Sequence, residues 1–396
     1  MESSYTIVPF TNNTNGIKFK KFANPDYLYI YYKEYRYNLS TGEKEKFTLF
    51  ELINRFEKIN LSKSFLKPII FHLFYELGFY SVGDLEKIDK NEILAIEISY
   101  QDVFNYTLPK YSAIDFSKRG GVDYEIYKDR FEKGNQHLLD GDCYQYNLTF
   151  PFSFEFKKNY SADNFIAALW KNKLNIAPYG HCTCIPSIHK LFLSNSPECL
   201  FQIRKREKDL LLWSMPIKGT VKMTSTQDYK ESVSKLLSSK KDEAELNIIT
   251  DLLRNDLSKV EKPLAKVVKK RAPLVVPGIL HQYSLISVPL SFKTTFGDVF
   301  KAIFPGGSIT GAPKLRVMTI LKKLEIAPRG FYCGSTVIFY KKMIAASINI
   351  RSATIDFNSK KLTYNAGGGI TLLSDCKSEY DEMNLKVDSF IGLLNE

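Results

Sequence analysis

Lys218 lies in Pro216-Ile217-Lys218-Gly219-Thr220, framed by a proline and a glycine, and its side chain is a nitrogen nucleophile once deprotonated. A free lysine has a pKa of about 10.4, so burial or neighbouring cations must lower that value before the amine can attack anything. The plain alternative is a solvated lysine among 55 basic residues. Its company along the chain argues otherwise. Residues 238–256 read as an amphipathic helix with Leu246, Ile249, Leu252 and Leu253 on its apolar side, and Asp242 and Glu245, three apart, share a face. Residues 378–396 read as a second helix with Ser378 as cap, and Glu379, Glu382 and Lys386 recur along one stripe. Two acid pairs on two helices offer the hard oxygen donors that Mg²⁺ prefers, whereas solvated acidic faces paired with lysines are the simpler reading of either helix alone.

Between those helices runs Phe304-Pro305-Gly306-Gly307-Ser308-Ile309-Thr310-Gly311-Ala312-Pro313-Lys314, leading into a further helix. Glycines let backbone N–H groups approach an anion, and Ser308 and Thr310 add hydroxyl donors. The spacing is neither that of a Walker A loop nor GxGxxG, so a carboxylate suits the cradle better than a nucleotide phosphate. Residues 345–356 and 361–369 read as a hairpin closed at Asn358-Ser359, with Arg351 inside its first strand, where a guanidinium can fork onto a carboxylate.

The elements that hold these groups are less explicit. The 396 residues, 44% of them hydrophobic, suffice for one large core or two moderate ones, and no apolar run approaches the ~20 residues of a membrane span. There is no basic segment followed by an apolar stretch at the N-terminus, and six scattered cysteines read as reduced thiols, so a cytoplasmic protein is expected. His181-Cys182-Thr183-Cys184 with His189 lacks a second matching pair and reads as a packed strand rather than a metal cluster. The net charge of +12 is dispersed in pairs such as Lys240-Lys241 and Lys269-Lys270, interleaved with acids, which argues against nucleic acid as a partner. Residues 1–118 are aromatic-rich, strand-like around Tyr27 to Tyr37 and helical from Phe50 to Phe79. Ser117 to Gly121 is the linker candidate before a second region, 119–396.

PIKGT, AELNIITDLLRNDL, HQYS, FPGGSITGAPK, SINIRSATID, NAGGGI and SEYDEMNLK, in this order, resemble the chorismate-utilising enzymes, and the lysine of PIKGT resembles the aminodeoxychorismate synthase component I branch. The anthranilate branch usually has alanine there. The strand around Gly141-Asp142-Cys143-Tyr144-Gln145-Tyr146-Asn147-Leu148 and the stretch Phe74-Tyr75-Glu76-Leu77-Gly78 are also similar to family segments, while Met383 stands where the family often has threonine.

The resemblance implies an α+β fold of two subdomains, with largely antiparallel sheets stacked at the centre, helices outside and the active site between them. It implies chorismate and ammonia as substrates, with Lys218 adding to C2 and Glu198, in Ser196-Pro197-Glu198, protonating the departing C4 hydroxyl. His281 would stand near the ring hydroxyl. Glu245 and Glu382 would bind Mg²⁺ directly, and Asp242 and Glu379 would hold its waters. Arg351 would grip a substrate carboxylate with Lys386 nearby, and Gly307 to Lys314 (Gly307, Ser308, Thr310, Gly311, Ala312, Pro313, Lys314) and Gly367, Gly368 and Gly369 would cradle the anion. It further implies a separate glutamine amidotransferase subunit as the source of ammonia. Anthranilate or isochorismate synthesis, and a basic binding protein without catalysis, are the alternatives.

Overall fold

The computed structural model describes residues 3–12, 16–222, 229–276 and 279–395. The fold is α+β, built on one continuous antiparallel sheet. One stretch of it runs Phe116–Gly120, Gln145–Phe156, Lys361–Ile370, Ser352–Asp356, Lys190–Ser194, His181–Ile185 and Tyr5–Asn12. Tyr5–Asn12 then pairs with the 16-residue strand Gly16–Tyr31. From there the order continues through Ala95–Tyr106, Phe65–Leu73, Ser335–Lys341, Met343–Ile348, Cys199–Lys205, Leu210–Met215 and Ile279–Leu290. Ile217–Lys222 continues Leu210–Met215 along one edge of Ile279–Leu290 beyond Pro216, and Lys266–Val276 takes the other edge. Strands from the first 118 residues therefore sit inside the order, and residues 116–120 are themselves paired strand.

Phe65–Leu73, expected as helix, is a strand because its apolar residues come as a run with Pro68 in it, and Ile70, Phe71 and Leu73 are buried between neighbours. The helix there stops at Glu57 and is capped by a reciprocal Thr48–Glu51 box.

Two helices close the ends of the sheet. Lys240–Leu257 starts one residue after Ser239, whose side chain accepts from the Asp242 N–H at 3.2 Å, and buries Leu246, Ile249, Leu253 and Leu257. Cys376–Asn395 starts earlier than expected because Asp375, not Ser378, serves its first turn, accepting from the Ser378 N–H at 2.8 Å. It buries Met383, Val387, Phe390 and Leu394, with Phe390 stacked on Tyr364 at 4.5 Å between centroids. Each such side chain stabilises the fold by roughly 1.5–3 kcal/mol. The apolar stripes fix the helix rotation, and the acidic stripes are left facing a cleft between the sheet ends. Cys182 and Cys184 are buried in the His181–Ile185 strand. No helix among the described residues is long and apolar enough to cross a membrane.

Candidate active site

The register between Ile217–Lys222 and Ile279–Leu290 shifts between Lys218 and Thr220. Gly219 takes the slack at φ 76°, and a Cβ there would come within 3.0 Å of both the Asp242 carboxylate and Gln282 Nε2. This bulge places Lys218 Nζ 3.3 Å from Glu245 Oε2, both side chains mostly buried. His281, opposite Thr220, has Nδ1 3.3 Å from the Gly219 carbonyl. Burial, with Arg351 nearby, holds its imidazole below the usual range and so neutral at pH 7.

The four acids expected on the two helices all line this cleft. Glu379, only 3% exposed, accepts from Ser374 Oγ at 2.8 Å and from Lys241 Nζ at 2.9 Å, and Lys241 stands 4.0 Å from Glu245. Lys386 Nζ lies 2.8 Å from Glu382 and donates to the Gly367 carbonyl at 2.9 Å. Burial opposes ionisation of Glu382, but Lys386, Lys241 and Lys218 outweigh it and hold the carboxyl below its ordinary value. Burial also pulls the Lys386 ammonium down, against Glu382, and Arg351 and Lys218 add to the fall. Burial would lower Lys241 too, but Glu379 above all holds it up.

Four carboxylates on facing helices are a donor set of the type a hard divalent cation takes, and here ammonium groups supply the compensating charge. Among the described residues, no three metal-ligating side chains cluster closely enough to define a metal site by themselves.

Glu198 enters the cleft from the turn before Cys199–Lys205. Ser196 fixes that turn, donating to the Ile348 carbonyl at 2.5 Å and accepting from the Glu198 N–H at 3.2 Å. The Glu198 side chain is buried, and neither its Oε1 nor the Ser308 Oγ has a hydrogen-bond partner. Burial pushes the Glu198 carboxyl above the ordinary carboxylate range, against the weaker pull of the Ser308 hydroxyl, which stands nearby without completing a hydrogen bond, and of Lys218. An acid that keeps its proton at unusually high pH is what a general acid requires.

The glycine-rich segment delivers only part of what its composition promised. Ser308 and Ile309 reach the cleft, whereas Gly307, Thr310, Gly311, Ala312, Pro313 and Lys314 are not in its lining. The Thr310 hydroxyl donates back to the Gly306 carbonyl at 3.0 Å. Gly311 and Ala312 pair with Tyr146 and Gln145, and Pro313 precedes the helix Lys314–Leu324. Lys314 lies 2.7 Å from Asp256 and donates to the Ile303 carbonyl, so its charge ties the segment to the Lys240–Leu257 helix.

Arg351 is not inside a strand. It sits in the break between Met343–Ile348 and Ser352–Asp356 at φ 51°, which swings its side chain out of the ladder and toward the C-terminal helix, where it donates to the Lys386 carbonyl at 3.5 Å. Gly367, Gly368 and Gly369 also line the cleft, and at Gly368 a Cβ would approach Glu379 Oε2 to 3.0 Å. The cleft holds about 580 Å³. Its lining sets the cations Lys218, Lys241, Arg351 and Lys386 among the carboxyl groups of Glu198, Asp242, Glu245, Glu379 and Glu382, a mixed-charge cleft of a size that takes a small molecule. Lys241, Tyr332, Tyr364 and Asn147 also line it and were not anticipated. Lys241 was readable, standing four residues before Glu245, but nothing local marked the other three.

The profile of the chorismate binding enzymes matches residues 88–392, and the chain belongs to that family. It is 35% identical over 277 residues to aminodeoxychorismate synthase component 1 of Escherichia coli (strain K12), an alignment covering 69% of this chain and 58% of that protein. It is 30% identical over 330 residues to an uncharacterized PabA-like protein of Haemophilus influenzae, covering 78% of this chain and 91% of that one. The chain thus spans under two thirds of the synthase relative's length. The structure of anthranilate synthase component I from Streptococcus pneumoniae TIGR4 has the same fold, with a TM-score of 0.77 over 99% of this chain and 93% of that one at 18% identity.

Proposed function

We propose that the protein converts chorismate and ammonia to 4-amino-4-deoxychorismate, an aminodeoxychorismate synthase reaction that would feed 4-aminobenzoate and folate synthesis. The observation that carries this reading is an amine, Lys218, 3.3 Å from Glu245 in the same cleft as Glu198, which is buried with its Oε1 unbonded. The similarity to aminodeoxychorismate synthase component 1 of E. coli supports it.

In this mechanism the deprotonated Lys218 nitrogen bonds to C2, the ring double bond shifts, and the C4–O bond breaks. The electron pair leaves on oxygen, which takes the Glu198 proton and departs as water. Ammonia then bonds to C4, the double bond returns, the C2–N bond breaks with its pair going back to Lys218, and the surplus proton on nitrogen restores Glu198. His281, kept neutral by burial, faces the ring hydroxyl. Arg351 and Lys386 receive a carboxylate, Arg351 as a planar fork. Glu245 and Glu382 would hold a Mg²⁺ ion, with Asp242 and Glu379 on its waters, and when bound it would supply positive charge opposite the ring carboxylate.

The ammonia would come from a separate glutamine amidotransferase subunit. Six cysteines held as thiols suit a reducing, cytoplasmic setting. The test is product analysis by mass, using chorismate, ammonium and Mg²⁺. Aminodeoxychorismate without pyruvate is the expected result, and anthranilate plus pyruvate would overturn the assignment.

A further inference from the structure

Arg329 is 3% exposed and takes no part in the chemistry above. It follows the helix Lys314–Leu324, and Glu325, four residues before it at the helix end, grips the guanidinium with two oxygens, Oε1 at 2.6 Å from Nη2 and Oε2 at 3.0 Å from Nε. The guanidinium also donates to two backbone carbonyls, Ile309 at 2.6 Å and Asn147 at 2.6 Å. Both of those residues line the cleft, one beside Ser308 and the other on the strand opposite the glycine run. The Arg329 carbonyl in turn accepts from Asn365 Nδ2 at 3.1 Å, two residues before Gly367. Its own N–H donates to Glu76 at 2.8 Å, and the Gly330 N–H does so at 3.1 Å. Glu76 belongs to the aromatic-Glu-Leu-Gly stretch that the proposed mechanism leaves unused. The guanidinium, held by Glu325, therefore joins the loop of Ser308 to the strand of Asn147, while the backbone of the same residue is tied to Glu76 and to the strand of Gly367.

We infer that Arg329 is a positioning residue that sets the spacing between the Ser308 loop and the Asn147–Gly367 wall, and so the place of the substrate relative to Glu198. This rests on the proposed reaction. A lysine at 329 has one ammonium where the arginine has a fork, and it leaves one of the two cleft carbonyls without its donor. Outside Arg329 lies a second cavity of about 210 Å³, lined by Tyr75, Glu76, Glu325 and Arg329 itself, with the guanidinium 4.3 Å over the Tyr75 ring. That cavity gives a free guanidinium ion a way to the position an alanine would vacate.

The experiment measures kcat and KM for chorismate, per folded molecule as counted by denaturant titration, in wild type, Arg329→Lys and Arg329→Ala. It repeats Arg329→Ala with about 20 mM guanidinium chloride against the same concentration of sodium chloride. The expected result is a fall in kcat of about 10-fold or more in Arg329→Lys, and guanidinium, but not sodium, restoring part of the activity of Arg329→Ala. Unchanged kcat and KM per folded molecule in Arg329→Lys, or losses that follow only the unfolded fraction, would overturn the inference. Should Arg329→Ala not fold, Arg329→Lys decides. Should neither fold, Glu76→Gln decides by the same kinetic criterion. If wild type makes no aminodeoxychorismate, the reaction assignment fails separately, and chorismate affinity by calorimetry in wild type and Arg329→Lys still reads the spacing, with equal affinities counting against it.

Discussion

Lys218 and Gly369 lie toward opposite ends of the strand order, yet a Cβ built on Gly369 would stand 3.5 Å from Lys218 Nζ. The sheet therefore brings its two ends together at the amine. The glycine leaves space beside the nitrogen, which in the proposed reaction the C2 carbon would enter. Enlarging residue 369 fills that space, and the same Cβ would also lie 2.7 Å from Gln145 Nε2.

Covalent chemistry and simple attraction make different forecasts for Lys218. Arginine keeps the charge but stays protonated, so Lys218→Arg should be nearly as inactive as Lys218→Ala. Intact-protein mass spectrometry of wild type with chorismate and Mg²⁺, without ammonia, should show an adduct of chorismate minus water, absent in both variants. An active Lys218→Arg enzyme would exclude the adduct while leaving the substrate in place.

For Glu198, burial raises the carboxyl pKa above its unfolded value. Folded protein thus binds that proton more tightly, and the linked stability is present below the unfolded pKa and lost as pH rises through the folded one. The activity profile should fall on its alkaline side with the same group. Glu198→Gln should cost about 10²-fold to 10⁴-fold in kcat, remove that limb from the pH profile, and stabilise the protein at neutral pH.

Glu245→Ala and Glu382→Ala should raise the Mg²⁺ concentration needed for half-maximal activity by about 10-fold or more, because each deletes a hard oxygen donor. Asp251→Ala on the same helix, at an exposed acid paired with Arg254, is the control and should change little. Equal metal dependence in all three would remove the two-helix cation site.

Acid should weaken the fold through a buried pair of imidazoles. His181 is pushed down to about 4 by burial, despite its contact with the Tyr179 carbonyl, and burial with His181 nearby drives His72 well below its usual value. The rings stack 5.9 Å apart. Both pKa values are depressed on folding, so this contribution is whole above about pH 6.5 and is lost as pH falls toward 4. For His181 alone it amounts to roughly 3 kcal/mol. Urea midpoints measured from pH 7 to pH 4 should drop steeply in wild type and less steeply in His181→Gln.

Much of the site was legible because its chemistry is local. Asp242 and Glu245 are spaced to share a helical face, Glu379 and Glu382 likewise, and each pair adjoins the apolar stripe of its own helix, so burying that stripe turns the acids inward. What the residues alone could not tell is where backbone leaves its ladder. Arg351 reaches the cleft through one left-handed residue between two strands, and Lys218 through a bulge at Gly219. The glycine-rich segment misled because composition does not say which donors are already used. Thr310 is spent on Gly306 and Lys314 on Asp256. Tyr332 and Tyr364 come from loops and strands far apart in the chain, so only the closed sheet reveals them.

The strand Tyr5–Asn12 joins the two stretches of the sheet, pairing on one side with its neighbour Gly16–Tyr31 and on the other with His181–Ile185, where Thr6 and Thr183 hydroxyls meet at 2.7 Å across 177 residues of chain. Closing so long a loop costs entropy before any reward arrives, so this seam belongs to the slow end of the folding timescale. Until it closes, two long strand edges stand open to other copies of the chain. Yield on refolding should therefore depend on protein concentration more steeply than the size of the finished core suggests.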